Sequence, residues 1–586
     1  MSTTTRRRSG CSTSAGTSAS TWDTNQFLRD EYQVSDTVRW TKGRHEIATG
    51  FEYSYGKGDI VNNFRANGRY TFSGAAPFTG DALADFMIGK FSSFEQGIGE
   101  YKNTRMHLFA SFIQDTFRPS SKLSLNLGLR WDPFFPYTDE TNRLACFRTG
   151  QKSTVYTNAP EGAVFPGDPG CGAGGYDAAW RNFGPRLGVA YDPFGDGKTS
   201  VRAGYGAFFD RPNTISTNSL ANQGPFGTVV SFPGDFTNDV ANPYAGRVNP
   251  FPADPFNVPQ NVAFVLPHNM FSYDPNMKNG TLHSWNVTAE REILPTYLVR
   301  AAYAGSTGTS LTILREVNAA TYAPGATTAT TNQRRPLFPN FGSIVSNEPT
   351  GESLYHSLQL TLDKRFAKGF SVLSSYTLSK TLDHSSENKQ TGAVQTNPFD
   401  LEYDWGPANF DRRHRWVTSF LYDIPGQFGK PALDAVVSGW SVTGIWLMQG
   451  GLPFTVSSGV DNARSGTGGQ RADLVGDPSL PGDRATAEQI ARWFNTSAFQ
   501  PNALGTFGSS GRNAFRGPGY RTLDLGLHKT FNTQGRTKVQ MRVEAFNAFN
   551  HVNFDLPNGS QNSGNFGKIL NAGDPRIMQL ALRVSF

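Results

Sequence analysis

The sequence has no run of about 18 consecutive apolar residues, which excludes a membrane-crossing helix but says nothing about strands. It is poor in charge: Asp, Glu, Lys and Arg make up 17%, against about 25% in ordinary soluble domains. A mean hydropathy of -0.43 would by itself suggest a water-soluble chain. A wall in which only alternate residues meet lipid scores the same way, so hydropathy does not decide. The GxGxxG, HExxH and GxSxG patterns are all missing, which leaves no nucleotide, metalloprotease or serine-hydrolase reading. No enzyme activity, cofactor or metal is expected. The net charge of +6 is spread along the chain beyond Arg6, Arg7 and Arg8, so no nucleic-acid partner is expected either. Cysteine is scarce, with only Cys11, Cys146 and Cys171. Cys146 and Cys171 share one Gly/Pro-rich stretch, which suits a loop disulfide in an oxidising compartment. Residues 1–21 carry three arginines but no apolar segment, so no signal peptide is read there. That segment is expected to be disordered or non-native, ahead of one domain at 22–586.

What the chain does have is aromatics, at 13%, and 62 glycines, well above the roughly 7% glycine of average usage. It also has period-two alternation along its whole length, the primary signal of strands. Leu123, Leu125, Leu127, Leu129 and Trp131 alternate with Ser124, Asn126, Gly128 and Arg130. Leu358, Leu360 and Leu362 alternate with Gln359, Thr361 and Asp363, and Leu523, Leu525 and Leu527 with Asp524, Gly526 and His528. At the end, Met578, Leu580, Leu582, Val584 and Phe586 fall on one face. Segments of about 10 residues with one oily face are long enough to cross a bilayer when tilted.

Connections separate a membrane wall from a soluble sandwich. Short ones are read at 41–43, 119–122, 192–198, 294–296, 367–369 and 532–536. Long ones rich in Gly, Pro and Asn alternate with them near 135–182, 211–280, 307–352, 381–409 and 456–518. Compact soluble domains seldom hold loops beyond about 12–15 residues, whereas outer-membrane barrels join tight periplasmic turns to long outer loops. The expected fold is therefore all-β: a transmembrane antiparallel outer-membrane β-barrel with long extracellular loops. About 15 strands are clear, with one or two more expected within 57–103. Aromatics at strand ends, among them Trp40, Trp131, Trp285, Trp416, Trp440 and Trp446, suit the headgroup level.

A charge facing lipid near the midplane costs roughly 2–4 kcal/mol. The charges opposite the oily faces are therefore expected in the lumen: Arg130, Arg186, Arg202, Arg300, Asp363, Arg365, Asp524, Arg542, Glu544 and Arg583. Other clusters read more simply. Gly197-Lys198-Thr199 looks like the end of a phosphate loop, but it lies in a strand–strand turn with Asp192 where the first glycine would stand. Asp411-Arg412-Arg413-His414-Arg415 reads as a charged strand start on the outer rim. Asp461, Asp473, Asp477 and Asp483 lack the spacing of a calcium loop and read as solvated carboxylates. The closing Leu582-Arg583-Val584-Ser585-Phe586, with Leu582, Val584 and Phe586 on one face, is similar to the signal by which the barrel assembly machinery recognises outer-membrane barrels.

The stretches FGPRLGVAYDPFGDGKTSVRAGYGAFFDR, YHSLQLTLDKRFAKGFSVLSSYTLSKTLDH, GRNAFRGPGYRTLDLGLHKTF and VEAFNAFNHVNF resemble the Oar-like TonB-dependent receptors of acidobacterial type, over about 22–586. The resemblance implies a barrel of about 22 strands, of which 15–18 would lie here, preceded by a regulatory-like domain and a plug. It implies a receptor that binds a large extracellular ligand, still unknown, and imports it with energy from the inner membrane. Its partners would be outer-membrane lipid, the assembly machinery and, only if a plug stands upstream, the TonB complex. No TonB box or plug is read in the sequence. Two rivals remain: a passive porin or surface adhesin barrel, and a secreted soluble carbohydrate-binding β-protein. Strand parity adds an expectation. If the last strand runs inward and turns and loops alternate, the first clear strand, near 26–40, also runs inward. A signal peptide, a plug and at least one further strand are then expected upstream.

The terminal residues give the first test. Phe586→Ala, or deletion of 577–586, should lower insertion of the secreted protein into outer membranes, measured by surface abundance. Equal abundance of variant and parent would remove the signal reading.

Overall fold

The structure, a computed structural model, describes residues 17–19, 25–63, 65–74, 78–211, 220, 223–227, 229–249, 251, 256–386, 394–426, 429, 436–532 and 537–586. Of the 1–21 segment only 17–19 fall within these; the rest of that expectation, Cys11 included, lies outside the described residues.

Among the described residues fifteen long strands follow one another across a single large sheet, to which three shorter strands in the connections also pair. They are β1 (Asn25–Lys42), β2 (His45–Asn62), β3 (Glu100–Ser120), β4 (Leu123–Trp131) and β5 (Phe183–Tyr191). Next come β6 (Thr199–Phe209), β7 (Thr281–Leu294), β8 (Tyr297–Glu316), β9 (Phe341–Ala367) and β10 (Phe370–Asp383). The last are β11 (His414–Asp423), β12 (Trp440–Gln449), β13 (Tyr520–Asn532), β14 (Lys538–Phe546) and β15 (Ile577–Ser585). Each pairs antiparallel with its neighbours in sequence. Among the described residues β1 pairs only with β2 and β15 only with β14, so the sheet is open along those two edges.

Turns and loops alternate strictly. Connections 43–44, 121–122, 192–198, 295–296, 368–369, 424–439 and 533–537 share one end of the sheet. Connections 63–99, 132–182, 210–280, 317–340, 384–413, 450–519 and 547–576 share the other. The tightest turns use backbone that few residues adopt: Lys368 (φ 53°) and Gly369 (φ 76°) are both left-handed, which matches the twist of a two-residue hairpin. Two sequence expectations change. Within 57–103, residues up to Asn62 belong to β2 and those from Glu100 belong to β3. Between them, Arg69–Phe72 and Ser93–Gly97 are short strands of a separate small sheet, not membrane-length ones. The connection expected at 307–352 is strand at both its ends, because β8 and β9 continue as a long ribbon and leave only 317–340 as loop.

Register fixes the faces, because residues directly opposite in a ladder project to the same side. Leu129 faces Ile113 and Pro185; Tyr205 faces Leu187 and Trp285; Leu360 faces Ala301 and Tyr376; Leu525 faces Gly444 and Ala545; Leu580 faces Val543. This row stays oily and uncovered by protein, with Leu187 50%, Leu360 44% and Leu580 78% exposed. The buried apolar residues instead gather in the connections at the long-loop end. One cluster joins Phe134, Leu144, Val164, Tyr176, Leu220 and Tyr273, and a second Phe165, Phe226, Met270, Phe341 and Ile344. A third joins Phe454, Val456, Phe494 and Phe499, and a fourth Phe72, Phe91 and Phe94. The wall has an oily outside and the loops have a core.

The alternation predicts asymmetric tolerance. Leu360→Arg, near mid-wall on the oily face, should lower folding stability in bilayers by about 2–4 kcal/mol, while Thr361→Arg on the opposite face changes it by less than about 1. Denaturant titration of the liposome-inserted protein measures both, and equal effects would mean the faces are misassigned.

Candidate functional site

Register sets nine of the ten charges named above on the face opposite the oily row, and Arg365 lies past the last paired residue of its ladder. Several are paired across strands. Glu290 of β7 sits between Arg202 of β6, at 2.8 Å, and Arg300 of β8, at 3.0 Å. Arg130 bonds Asp132 at 2.9 Å and reaches Glu52 at 3.6 Å. Arg186 lies over the Phe208 ring. Asp524 accepts from the Asn547 backbone N–H at 2.8 Å, and Arg542 donates to Gln540 at 2.7 Å. Glu544 stands 3.9 Å from His528, and Arg583 opposite Gln540. Asp363 faces Leu298 and Leu373, and Arg365 lies beside the Thr296 turn, where its N–H meets the Thr296 carbonyl. Sequence alone picked the residues but not their cross-strand partners, since Glu290 and Glu52 become partners only through register.

Where this face meets the loops, a cavity of about 620 Å³ is lined by Ser353, Thr377, Ser379, Thr381, Arg412 and Arg415. Its carboxylate, Asp383, is already engaged by Arg512 at 2.8 Å and by Ser386. The cavity therefore offers hydroxyls and cations. Burial, and then the nearby Arg415, weigh against the charge of Arg412, an arrangement that a bound anion relieves.

The loops above it are tied down. Cys146 and Cys171 are joined by a disulfide. Beside it Asp168, 5% exposed, accepts from Ser153 Oγ (2.6 Å), Thr154 N (2.7 Å), Thr154 Oγ1 (2.8 Å) and Phe165 N (3.0 Å). Burial pushes its carboxyl up, but these bonds outweigh burial and hold it below the ordinary carboxylate value. Buried ion pairs add Arg471–Asp404 at 2.7 Å, with the guanidinium over the Tyr403 ring, and Arg335–Glu316 at 3.1 Å. Asp411, read from sequence as part of a rim charge run, is buried and bonded to Arg516 and to the Thr381 N–H. Asp461, Asp473 and Asp477 each accept backbone N–H groups of separate turns. No group of three or more His, Cys, Asp or Glu among the described residues is placed to hold a metal ion. Asp192 accepts from Gly195 and Gly197 N–H, which makes the Gly197-Lys198-Thr199 stretch a hairpin turn.

The oily face has two girdles that the sequence showed only in part. Toward the loop end four Tyr hydroxyls meet a His Nδ1 on the adjacent strand: Tyr53–His107 (2.9 Å), Tyr205–His283 (2.8 Å), Tyr303–His356 (2.7 Å) and Tyr376–His414 (2.7 Å). At the turn end Lys364 and Lys529, in register with the oily row, fold back onto carbonyls. Lys364 donates to Phe370 at 2.6 Å over the Tyr297 and Phe370 rings. Lys529 donates to the Val436 carbonyl at 3.1 Å over Trp440 and Phe531. Long cations snorkelling past aromatic rings mark a membrane–water boundary. Leu582 and Val584 lie on the oily row of the last strand, and Phe586 follows it almost fully exposed.

An open antiparallel wall with an oily outer row, two girdles and a folded loop end is matched at the level of family: the outer membrane beta barrel domain covers residues 2–579. The chain belongs to that family. The barrel is thereby placed in the bacterial outer membrane, where an oily row belongs against lipid. No curated protein matches it. Among solved structures the barrel is similar to the outer membrane transporter YddB from Escherichia coli, at 11% identity over 94% of this chain and 54% of that one, with a TM-score of 0.46. It is similar to FpvA of Pseudomonas aeruginosa, bound to a heterologous pyoverdine, at 12% identity over 97% and 48%, TM-score 0.43. It is also similar to the ferric-catecholate import receptor Fiu of E. coli, at 14% identity over 95% and 54%, TM-score 0.44. The barrel chain spans about half the length of these structures.

The Asp168 hub gives a pH prediction. A carboxyl held below its unfolded value contributes stability that is present above that value and is lost as pH falls through the folded pKa. Hydrogen-exchange protection at Thr154 and Phe165, taken relative to the intrinsic rate at each pH, should therefore be high at neutral pH and fall below about pH 4. Asp168→Ala should lower that protection at every pH, through loss of charge-assisted bonds worth about 1.5–3 kcal/mol each. Unchanged protection in that variant would remove the hub.

Proposed function

We propose that this barrel is the wall and outer-loop part of an Oar-like TonB-dependent receptor that binds a large extracellular ligand and imports it. The observation that carries the reading is the loop end. The connection 450–519 folds on a core of its own, 132–182 shares another with Leu220, Tyr273 and Met277, and a cavity rich in hydroxyls and arginine lies on the polar face at the same end. A preorganised loop surface loses little entropy on binding, which suits capture of a large molecule. In this reading the ligand meets the loops first and then the Arg412–Arg415 vestibule. A plug inside the wall, engaged by the TonB complex, supplies the energised step. The barrel does no covalent chemistry itself.

The test uses the compound that the purified detergent-solubilised protein retains from its host's medium, identified by mass spectrometry. Replacing 456–518 by a short linker should abolish that retention. Accumulation of the compound by intact cells should stop on adding a protonophore. Uptake that persists without the proton gradient would favour the passive porin. Retention with no uptake would favour the adhesin.

A further inference from the structure

We propose that a groove on the lipid-facing side of the wall, at its loop end, binds the phosphorylated headgroup of an outer-leaflet lipid. The groove is about 500 Å³, and its lining includes Tyr376, His414, Trp416, Met448, Arg521 and His551. Register places four of its side chains on the oily side, while Gln449 and Tyr520, of the opposite parity, also line it. Tyr376 stands opposite Trp416, Trp416 opposite Met448, and Met448 opposite Arg521, so these four project together. Leu523 and Leu525 continue the same row down the wall, opposite Trp446 and Gly444.

Arg521 is therefore a guanidinium on the lipid side, in the last row before the loops. A cation there is tolerated at headgroup depth and penalised below it. No carboxylate lines the groove. The Nε of Arg521 donates to His551 Nε2 at 2.8 Å, a neutral acceptor rather than an anion. Burial, and then Arg521, hold His551 below the ordinary histidine range, so its ring accepts from the guanidinium. That bond orients the fork and leaves its two terminal nitrogens for an oxyanion, the bidentate geometry that a phosphate prefers. His414 spends Nδ1 on the Tyr376 hydroxyl, at 2.7 Å, which leaves Nε2 as a further polar contact.

The shape argues for a lipid over a free anion. Trp416 and Trp446, with ring centroids 5.4 Å apart, form an apolar shelf beside the guanidinium, and the leucine row begins directly beneath. A molecule with its phosphate on Arg521 and its acyl chains along Leu523 and Leu525 satisfies both halves. Inorganic phosphate satisfies only one. The Tyr–His pairs recur at three other places on this face, but within the groove the pair stands beside an arginine that has an imidazole partner.

The experiment uses the full chain, purified from outer membranes in detergent, and lipid A, a diphosphorylated glucosamine lipid, as probe. Native mass spectrometry gives the affinity. Arg521→Gln and His551→Gln should each weaken binding by about tenfold, with Arg521→Lys in between, because a point charge lacks the planar fork. Arg542→Gln, on the opposite face, should bind like the parent. With dephosphorylated lipid A, parent and variants should bind alike. Circular dichroism and heat-modifiable migration establish that each variant is folded, and His551→Gln carries the test if Arg521→Gln is not. Equal affinity of parent and folded variants would overturn the proposal. An equal loss with the dephosphorylated lipid would also overturn it, since the groove would then be apolar packing alone. Inorganic phosphate binding as tightly as lipid A would reassign the groove to a soluble anion.

Discussion

Everything in this wall follows from one constraint: inside a bilayer no water is available to satisfy backbone N–H and C=O groups, so the chain must pair them with itself. Among the described residues no helix is long and apolar enough to do so, and the strands meet the constraint by laddering each to its neighbour in sequence from β1 to β15. Once the ladder is continuous, side-chain direction is no longer free. Directly opposite residues share a face, so a single row runs oily across strands far apart in sequence, from Leu129 to Tyr205 to Leu360 to Leu525. The charges are then displaced to the other face, where Arg202, Glu290 and Arg300 neutralise one another across three strands.

Outside the bilayer the same chain obeys different rules. Loop backbone is free to bond water, so the connections are released from the ladder and fold as soluble structure does, by burying apolar side chains and satisfying the polar groups that go in with them. Hence Phe454 and Phe494 are buried, while Leu580 on the wall is not. Buried Arg471 is charge-paired with Asp404 and capped by Tyr403, because one partner without the other would cost about 3–5 kcal/mol. The boundary between the two regimes is visible in the side chains that straddle it. Lys364 and Lys529 mark it at one end and the Tyr–His pairs at the other.

How legible each part was in the sequence tracks which rule applied. Strands with leucine at alternate positions, such as 123–131 and 521–531, could be read directly, because lipid demands one residue class on one face. The lipid-exposed face also fixed which charges must turn away from it. The ribbon extension of β8 and β9 was not legible, because its apolar residues come as adjacent pairs, Ile313-Leu314 and Ile344-Val345, buried among the loops rather than alternating. Within 57–103 the short strands hold phenylalanines at strand-like spacing, yet Phe72 and Phe94 point into a loop core. Lys364 and Lys529 sit on the oily row against the pattern, and only the carbonyls of the adjacent turn and connection explain how they can. Partners across strands, from Glu290 to the Tyr–His pairs, depend on register, which no single strand encodes.

Period two also separates what the two faces must do. In the wall, a change on the lumenal row leaves the lipid row untouched, so binding chemistry and membrane chemistry can vary independently along one strand. That independence is narrowest in the last row before the loops. There Tyr520, opposite Gln449, and Arg521, opposite Met448, are consecutive residues facing opposite sides. Arg415, opposite Gln449, lines the lumenal vestibule in the same row in which Trp416 lines the outer groove. One peptide unit therefore separates a cation that meets the lumen from an aromatic ring that meets lipid. A shift of register by a single residue would exchange them, and the ladder that satisfies the backbone is what prevents it.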